Sequence, residues 1–256
     1  MIHSQTVDKL NRMKLFGMIE AAHSQLTRSE SKEMGFTDLF GLIVDAEWVH
    51  RENKKMLRLV KVAQFKEKTA CLEALDYRGA RGLKKSAIQE LTQNHWIENH
   101  QNILVTGPSG SGKSFLAQAL GQHAARHGFS VSYMRMPKLL FALLQARADG
   151  SYLNLLKKIA NTRILILDDL GLSPLTEQER QDLMEIVEDR HRAGSTIVTS
   201  QLPTTGWHTH LGGSLVADGI LDRLLSNVHR FELKTNESLR MDKALDQLTD
   251  AGQSAN

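Results

Sequence analysis

One cysteine and four prolines stand among 256 residues. The lone Cys71 excludes an internal disulfide and a zinc site built on cysteines, and it is expected to be a small buried hydrophobe. Aromatic residues make up only 5% of the chain, so few rings are available to stack on nucleic-acid bases. No apolar run approaches the length that spans a bilayer. The opening stretch MIHSQTVDKLNRMK lacks the apolar core of a secretory signal. These absences predict a cytoplasmic protein with no membrane partner. Charge of one sign is not in excess: 32 basic residues face 29 acidic ones, a net +3. That balance decides nothing, so the distribution of charge has to.

What is present starts with a loop. Residues 102–106, NILVT, read as a short buried strand. Then come Gly107, Pro108, Ser109, Gly110, Ser111, Gly112, Lys113 and Ser114, which fit G-x-x-x-x-G-K-[ST] at every fixed position. From Lys113 onward, Phe115, Leu116 and Leu120 recur at helical spacing. Glycines let backbone N–H groups converge on phosphate oxygens. The helix start aims unpaired N–H groups and a positive dipole end at the anion. Lys113 is expected to reach the β- and γ-phosphates and Ser114 to ligate Mg²⁺, with Gly107 to Phe115 forming the nucleotide cradle.

Such a cradle needs a carboxylate, and TRILILDDLG supplies two. Ile164–Leu167 is an uninterrupted apolar run, as in a parallel strand covered on both faces. Asp168 and Asp169 follow at its carboxyl end, where ligands bind in open α/β sheets. Asp168 is assigned to the Mg²⁺ shell and Asp169 to polarising the attacking water. A third strand, STIVTSQL, ends in Ser200 and Gln201, and Gln201 is a candidate for touching the γ-phosphate or the water. With segments 129–136 and 228–233 this makes five strands alternating with helices: a doubly wound α/β fold on a parallel sheet. No guanine-reading Asn/Thr-Lys-x-Asp element occurs, so ATP is the expected nucleotide. The His208-x-His210 pair has no third ligand and is not read as a metal site.

Residues 42–77 contain no glycine- or proline-rich break and are expected to be helical. On a helix over 48–63, Arg51, Lys54, Lys55, Arg58 and Lys61 share an arc of about 120°. Such a stripe either tracks DNA phosphates, is simply solvated, or faces a partner. RGARGLKK at 78–85 adds charge, and Arg135, Lys138, Arg147, Lys157 and Lys158 surround the second strand. Phosphate contacts with duplex DNA and little base readout are the expectation. Late in the chain, Arg223 and Arg240 are each either a surface ion-pair partner or a residue that completes a nucleotide site.

In that order, the loop 107–114, the LILDD and TIVTSQ strands, the LDRL arginine and the ESLR arginine resemble an AAA+ ATPase. The stretch LFGLIVDAEWVHRENKKMLRLVKVAQF narrows the resemblance to the transposition helper ATPases of the IS21 insertion-sequence class (IstB), relatives of the DnaC helicase loaders. The resemblance implies an AAA+ P-loop core with a five-stranded parallel sheet, behind a small all-α domain and without a C-terminal lid. It implies a domain at 1–75, a linker at 76–98, the core at 99–243 and a flexible tail at 244–256. By the same resemblance Lys113, Asp168, Asp169, Gln201, Arg223 and Arg240 carry Mg²⁺-dependent ATP hydrolysis, Arg223 as a finger into a neighbouring subunit and Arg240 as a second sensor. The family pattern ends its acidic strand in Asp-Glu, whereas this one ends in Asp168-Asp169. The implied function is ATP-driven self-assembly on duplex DNA that recruits and stimulates a transposase. A helicase loader is the alternative, and a small-molecule P-loop kinase a third reading.

Overall fold

The computed structural model describes residues 4–27, 34–77 and 82–234. The chain divides into two compact units, Met1–Arg58 and Leu59–Asn256.

The first unit contains α1 (Ser4–Arg12), α2 (Phe16–Thr27) and most of α3 (Phe36–Val62). Gly17 permits close packing of α2 on α3: a Cβ there would sit 2.7 Å from the Ala46 carbonyl oxygen. Glu47 is buried on α3 and accepts from the Met18 N–H at 3.2 Å and from Arg51 Nε at 2.7 Å.

The second unit begins with the end of α3 and continues through α4 (Lys85–Leu91), α5 (His95–Glu98), β1 (Asn102–Thr106) and α6 (Lys113–Arg126). There follow β2 (Val131–Arg135), α7 (Met136–Asp149), α8 (Tyr152–Ala160), β3 (Ile164–Leu170) and α9 (Glu177–Arg190). It closes with β4 (Ser195–Ser200), α10 (Trp207–His210), α11 (Leu215–Leu225) and β5 (Val228–Glu232). The five strands are all parallel in the order β2-β3-β4-β1-β5. Every residue of β1 and β4 is buried, which explains their unbroken apolar and small-residue runs. One core, around Ile103, Val105, Leu116 and Ile166, fills one side of the sheet. Another, around Leu104, Leu165, Leu183 and Ile220, fills the opposite side. The doubly wound fold expected from the alternation is therefore present.

Three expectations change. The helix does not run to residue 77: α3 stops at Val62, and Gln64 takes a left-handed φ of 57°. The stretch after it does not belong with the N-terminal helices. Ala63, Phe65, Ala70 and Leu72 are buried in the same core as Ile103 and Leu116, and so are Ile88, Leu91, Trp96 and Ile97 from the expected linker. Cys71 is partly exposed rather than buried. The expected tail and Arg240 lie outside the described residues, as do residues 78–81 of the basic RGARGLKK segment.

Candidate functional site

The carboxyl ends of β1, β3 and β4 lie side by side. Thr106 is in register with Ser200, and Ser200 with Leu170. The loop between β1 and α6 is shaped by glycine. Gly107, Gly110 and Gly112 have φ values of 146°, 81° and 92°. A Cβ on Gly107 would lie 2.2 Å from the Leu233 carbonyl oxygen, so this position requires glycine for close approach as well as for its angle. Lys113 opens α6, is 6% exposed, and donates from Nζ to the Pro108 carbonyl at 2.7 Å. The Ser111 hydroxyl is buried and has no hydrogen-bond partner among the described residues. An orphaned donor inside a ring of positive-φ glycines at a helix start is what a phosphate would satisfy.

Behind the loop sits a hydroxyl knot around Asp168. Its Oδ1 accepts from Ser114 Oγ at 2.8 Å and from Thr199 Oγ1 at 2.5 Å; its Oδ2 accepts from Tyr133 Oη at 2.7 Å. The carboxylate is 2% exposed, yet three donors from α6, β4 and β2 satisfy it. Burial, together with the Asp168 carboxylate, pushes the Tyr133 phenol well above its usual range and keeps it a donor. The Ser114–Asp168 pair presents hard oxygen ligands of the type Mg²⁺ takes, so these residues fit the metal.

Asp169 is placed differently. A bulge interrupts the pairing of β3 with β4 between Leu167 and Leu170, and Asp169 adopts φ 67°. Its N–H donates to Thr199 Oγ1 at 3.0 Å. Its Oδ2 accepts from Arg135 Nε at 2.9 Å and from Nη2 at 2.8 Å. That bond holds the Arg135 guanidinium above its ordinary pKa. Asp169 and Gln201 both line the cleft over the phosphate loop. The Ser200 hydroxyl does not serve there: it donates to the Leu170 carbonyl at 2.6 Å and accepts from the Leu202 N–H at 3.1 Å.

The cleft continues from the loop between Glu67, Ala74, Leu75, Asp76, Leu83 and Leu233. This half-apolar slot suits a base and sugar, and no motif in the sequence announced it. Thr199 and Tyr133 were missed too. The available signal was a tyrosine inside an apolar buried strand, whose hydroxyl needs a partner.

Arg223 lies at the other end of the sheet. Its carbonyl accepts from Asn102 Nδ2 at 3.0 Å, at the first residue of β1. The five residues of β1 separate that point from the phosphate loop, about 3.3 Å per residue. Arg223 therefore cannot reach the loop of its own chain.

The expected DNA-facing cations divide. Arg135 is turned to Asp169, and Arg147 to Asp182 while its guanidinium stacks 3.8 Å from the Tyr152 ring centre. Both are engaged with carboxylates of their own chain rather than standing free on a face. Arg51 pairs with Glu47, Lys55 with Glu52 at 3.5 Å, and Lys54 lies 5.7 Å above the Phe16 ring. Arg58, Lys138, Lys157 and Lys158 are exposed. His208 pairs with Asp218 at 3.1 Å, and the described residues hold no group of three metal-ligating side chains.

A family model described as IstB-like ATP binding protein matches residues 8–246. A Sinorhizobium fredii protein bearing the name insertion sequence ATP-binding protein y4pL is 44% identical over 94% of this chain and 97% of its own length. A Pseudomonas fluorescens protein named for insertion sequence IS1162 is 42% identical over 80% of this chain and 89% of its own. The crystal structure of the DnaC helicase loader superposes with a TM-score of 0.53 at 21% identity, covering 64% of this chain and 97% of that one. The fold is thus of the AAA+ type, and no described helix is long and apolar enough to cross a membrane. The chain belongs to the family of IstB-like ATP binding proteins.

Proposed function

We propose that this protein is an ATP-hydrolysing helper of DNA transposition that assembles on duplex DNA and then recruits and stimulates a transposase. The observation that carries the reading is the separation of the phosphate loop from Arg223 at opposite ends of one sheet. An arginine out of reach of the phosphate loop of its own chain is placed to complete the loop of an adjacent copy. The relatives' names supply the insertion-sequence context.

In this mechanism the loop N–H groups and Lys113 bind the phosphates. Ser114 and Asp168 would hold Mg²⁺, which neutralises charge building on the phosphate oxygens when bound. Asp169 orients the attacking water and takes up its proton, with Gln201 beside it. Arg223 of the adjacent copy stabilises the transferring phosphoryl group, an effect worth roughly 10³–10⁵ in rate. Exposed cations meet DNA phosphates with little regard to sequence. Strand cleavage is left to the transposase.

The test is particle mass by light scattering, with a duplex of about 60 base pairs or with single strands. Each is mixed with ATP and Mg²⁺, with ADP, or with neither. The expected result is a large particle only with ATP and duplex, lost in Lys113→Ala. A preference for single strands points instead to helicase loading, and a monomer indifferent to DNA refutes both.

A further inference from the structure

Arg223 has a partner that no motif names. Its Nε donates to Glu188 Oε2 at 2.5 Å, linking α11 to α9. Its Nη1 reaches the Gly219 carbonyl and Asp222 Oδ2, each at 3.5 Å, and its Nη2 has no hydrogen-bond partner among the described residues. The Glu188 side chain is 51% exposed and that of Arg223 28%. An ion pair so open to solvent adds little stability. It is not what holds α11 on α9, because Ile220 and Leu224 pack there in one core with Leu183, Ile186 and Val187. What the pair does is fix the guanidinium through Nε and leave Nη2 available.

The surroundings are suited to an anion. A cavity of about 490 Å³ opens beside Arg223 at the amino-terminal ends of β1 and β4. Arg190, Arg192 and His100 join Arg223 in its walls, against a single carboxylate, Asp222. Nδ1 of His100 is buried without a partner among the described residues. Arg190 offers no acid in return: its guanidinium is spent on the carbonyls of Ile159, Thr162 and Ser195 and on the Thr196 hydroxyl.

We infer that Glu188 is a positioning residue for Arg223, holding the guanidinium so that its free Nη2 meets the nucleotide phosphates of an adjacent copy. The inference rests on the proposed role of Arg223 in that neighbouring site. Arginine loses much rotamer freedom when it is immobilised on a ligand. Glu188 takes that loss before the neighbour arrives. An acceptor suffices for the task, so the amide of glutamine should replace the carboxylate.

The experiment uses the full chain on a duplex of about 60 base pairs with ATP and Mg²⁺, measuring kcat, KM and particle mass together. Arg223→Ala is expected to lower kcat about a thousandfold or more. Glu188→Ala should lower kcat about fivefold, the scale of one side chain's ordering, with KM and particle mass unchanged. Glu188→Gln should restore most of the loss. In the Arg223→Ala background, Glu188→Ala should have no further effect. Wild-type or faster turnover in Glu188→Ala overturns the inference, as does a full additional loss in the double variant. If Arg223→Ala itself turns over normally, the role of Arg223 falls and the inference with it. If only Glu188→Ala is silent, Arg223 keeps its role and the inference alone falls.

Discussion

Thr199 gives a sharp test of how the two acids are held. It is fully buried, and one oxygen serves both: Oγ1 donates to Asp168 Oδ1 at 2.5 Å and accepts from the Asp169 N–H at 3.0 Å. Thr199→Val exchanges that oxygen for a methyl of similar size. Losing a hydrogen bond to a carboxylate costs about 1.5–3 kcal/mol, and stranding a buried N–H about 1–3 kcal/mol more. One atom makes both bonds, so the terms overlap, and a net loss of about 3 kcal/mol is expected. At about 2–4 °C per kcal/mol for a domain of this size, Tm should fall by roughly 6–12 °C. Thr199→Ser keeps the oxygen and gives up one methyl, about 1 kcal/mol. Thermal unfolding of the two variants is compared, together with ATP turnover, which should drop further in Val than in Ser. Equal losses of stability in Val and Ser would refute the claim that the hydroxyl organises the acids.

Three further outcomes are expected. Arg135→Gln frees Asp169 from a partly exposed ion pair, so stability should change by no more than about 1 kcal/mol while ATP turnover without DNA rises; a fall in that basal rate would show that Arg135 assists Asp169 instead of restraining it. Gly107→Ala forces a Cβ against the Leu233 carbonyl at φ 146°, at a cost of about 2 kcal/mol or more, and should weaken nucleotide binding at least tenfold in a fluorescence titration. Burial holds His123 below its ordinary 6.5 even though the Thr92 carbonyl pulls the other way. Its contribution is therefore complete above that value and lost as pH falls through the lower folded one, so urea midpoints should drop on acidification and His123→Gln should flatten the drop.

The parts of the site legible in the sequence are those whose chemistry is contiguous. The loop Gly107–Ser114 carries its turn, its lysine and its helix start in eight adjacent residues, and strand β1 before it is apolar throughout its buried length apart from its two ends. Asp168 was legible as an acid at a strand end, but its setting was not. Its three donors come from positions 114, 133 and 199, which meet only because β3 lies between β2 and β4. Asp169 was assigned a task different from that of Asp168 on the sequence alone. It differs through a bulge and a left-handed angle, neither of which has a signature in LILDDLG. Arg135 was grouped with surface cations because charge alone was visible; its register opposite Asp168 in the β2–β3 pair brings it beside Asp169.

The packing of residues 63–72 in the core of the second unit has a polar cause as well as an apolar one. Gln118 and Gln122 lie on α6, one turn apart, and are almost completely buried. Buried amides of this kind require partners. Gln118 Oε1 accepts from the N–H groups of Lys66 and Glu67 at 2.7 and 2.8 Å, and its Nε2 donates to the Ser114 carbonyl at 3.0 Å. Gln122 Nε2 donates to the Glu67 carbonyl at 2.8 Å. The helix α6 therefore binds the backbone of residues 66–67, and Glu67 in turn lines the cleft over the loop 107–114. The two glutamines add a polar reason for this segment to pack on α6: without the backbone of residues 66–67, Gln118 Oε1 would be a buried acceptor and Gln122 Nε2 a buried donor left unpaired.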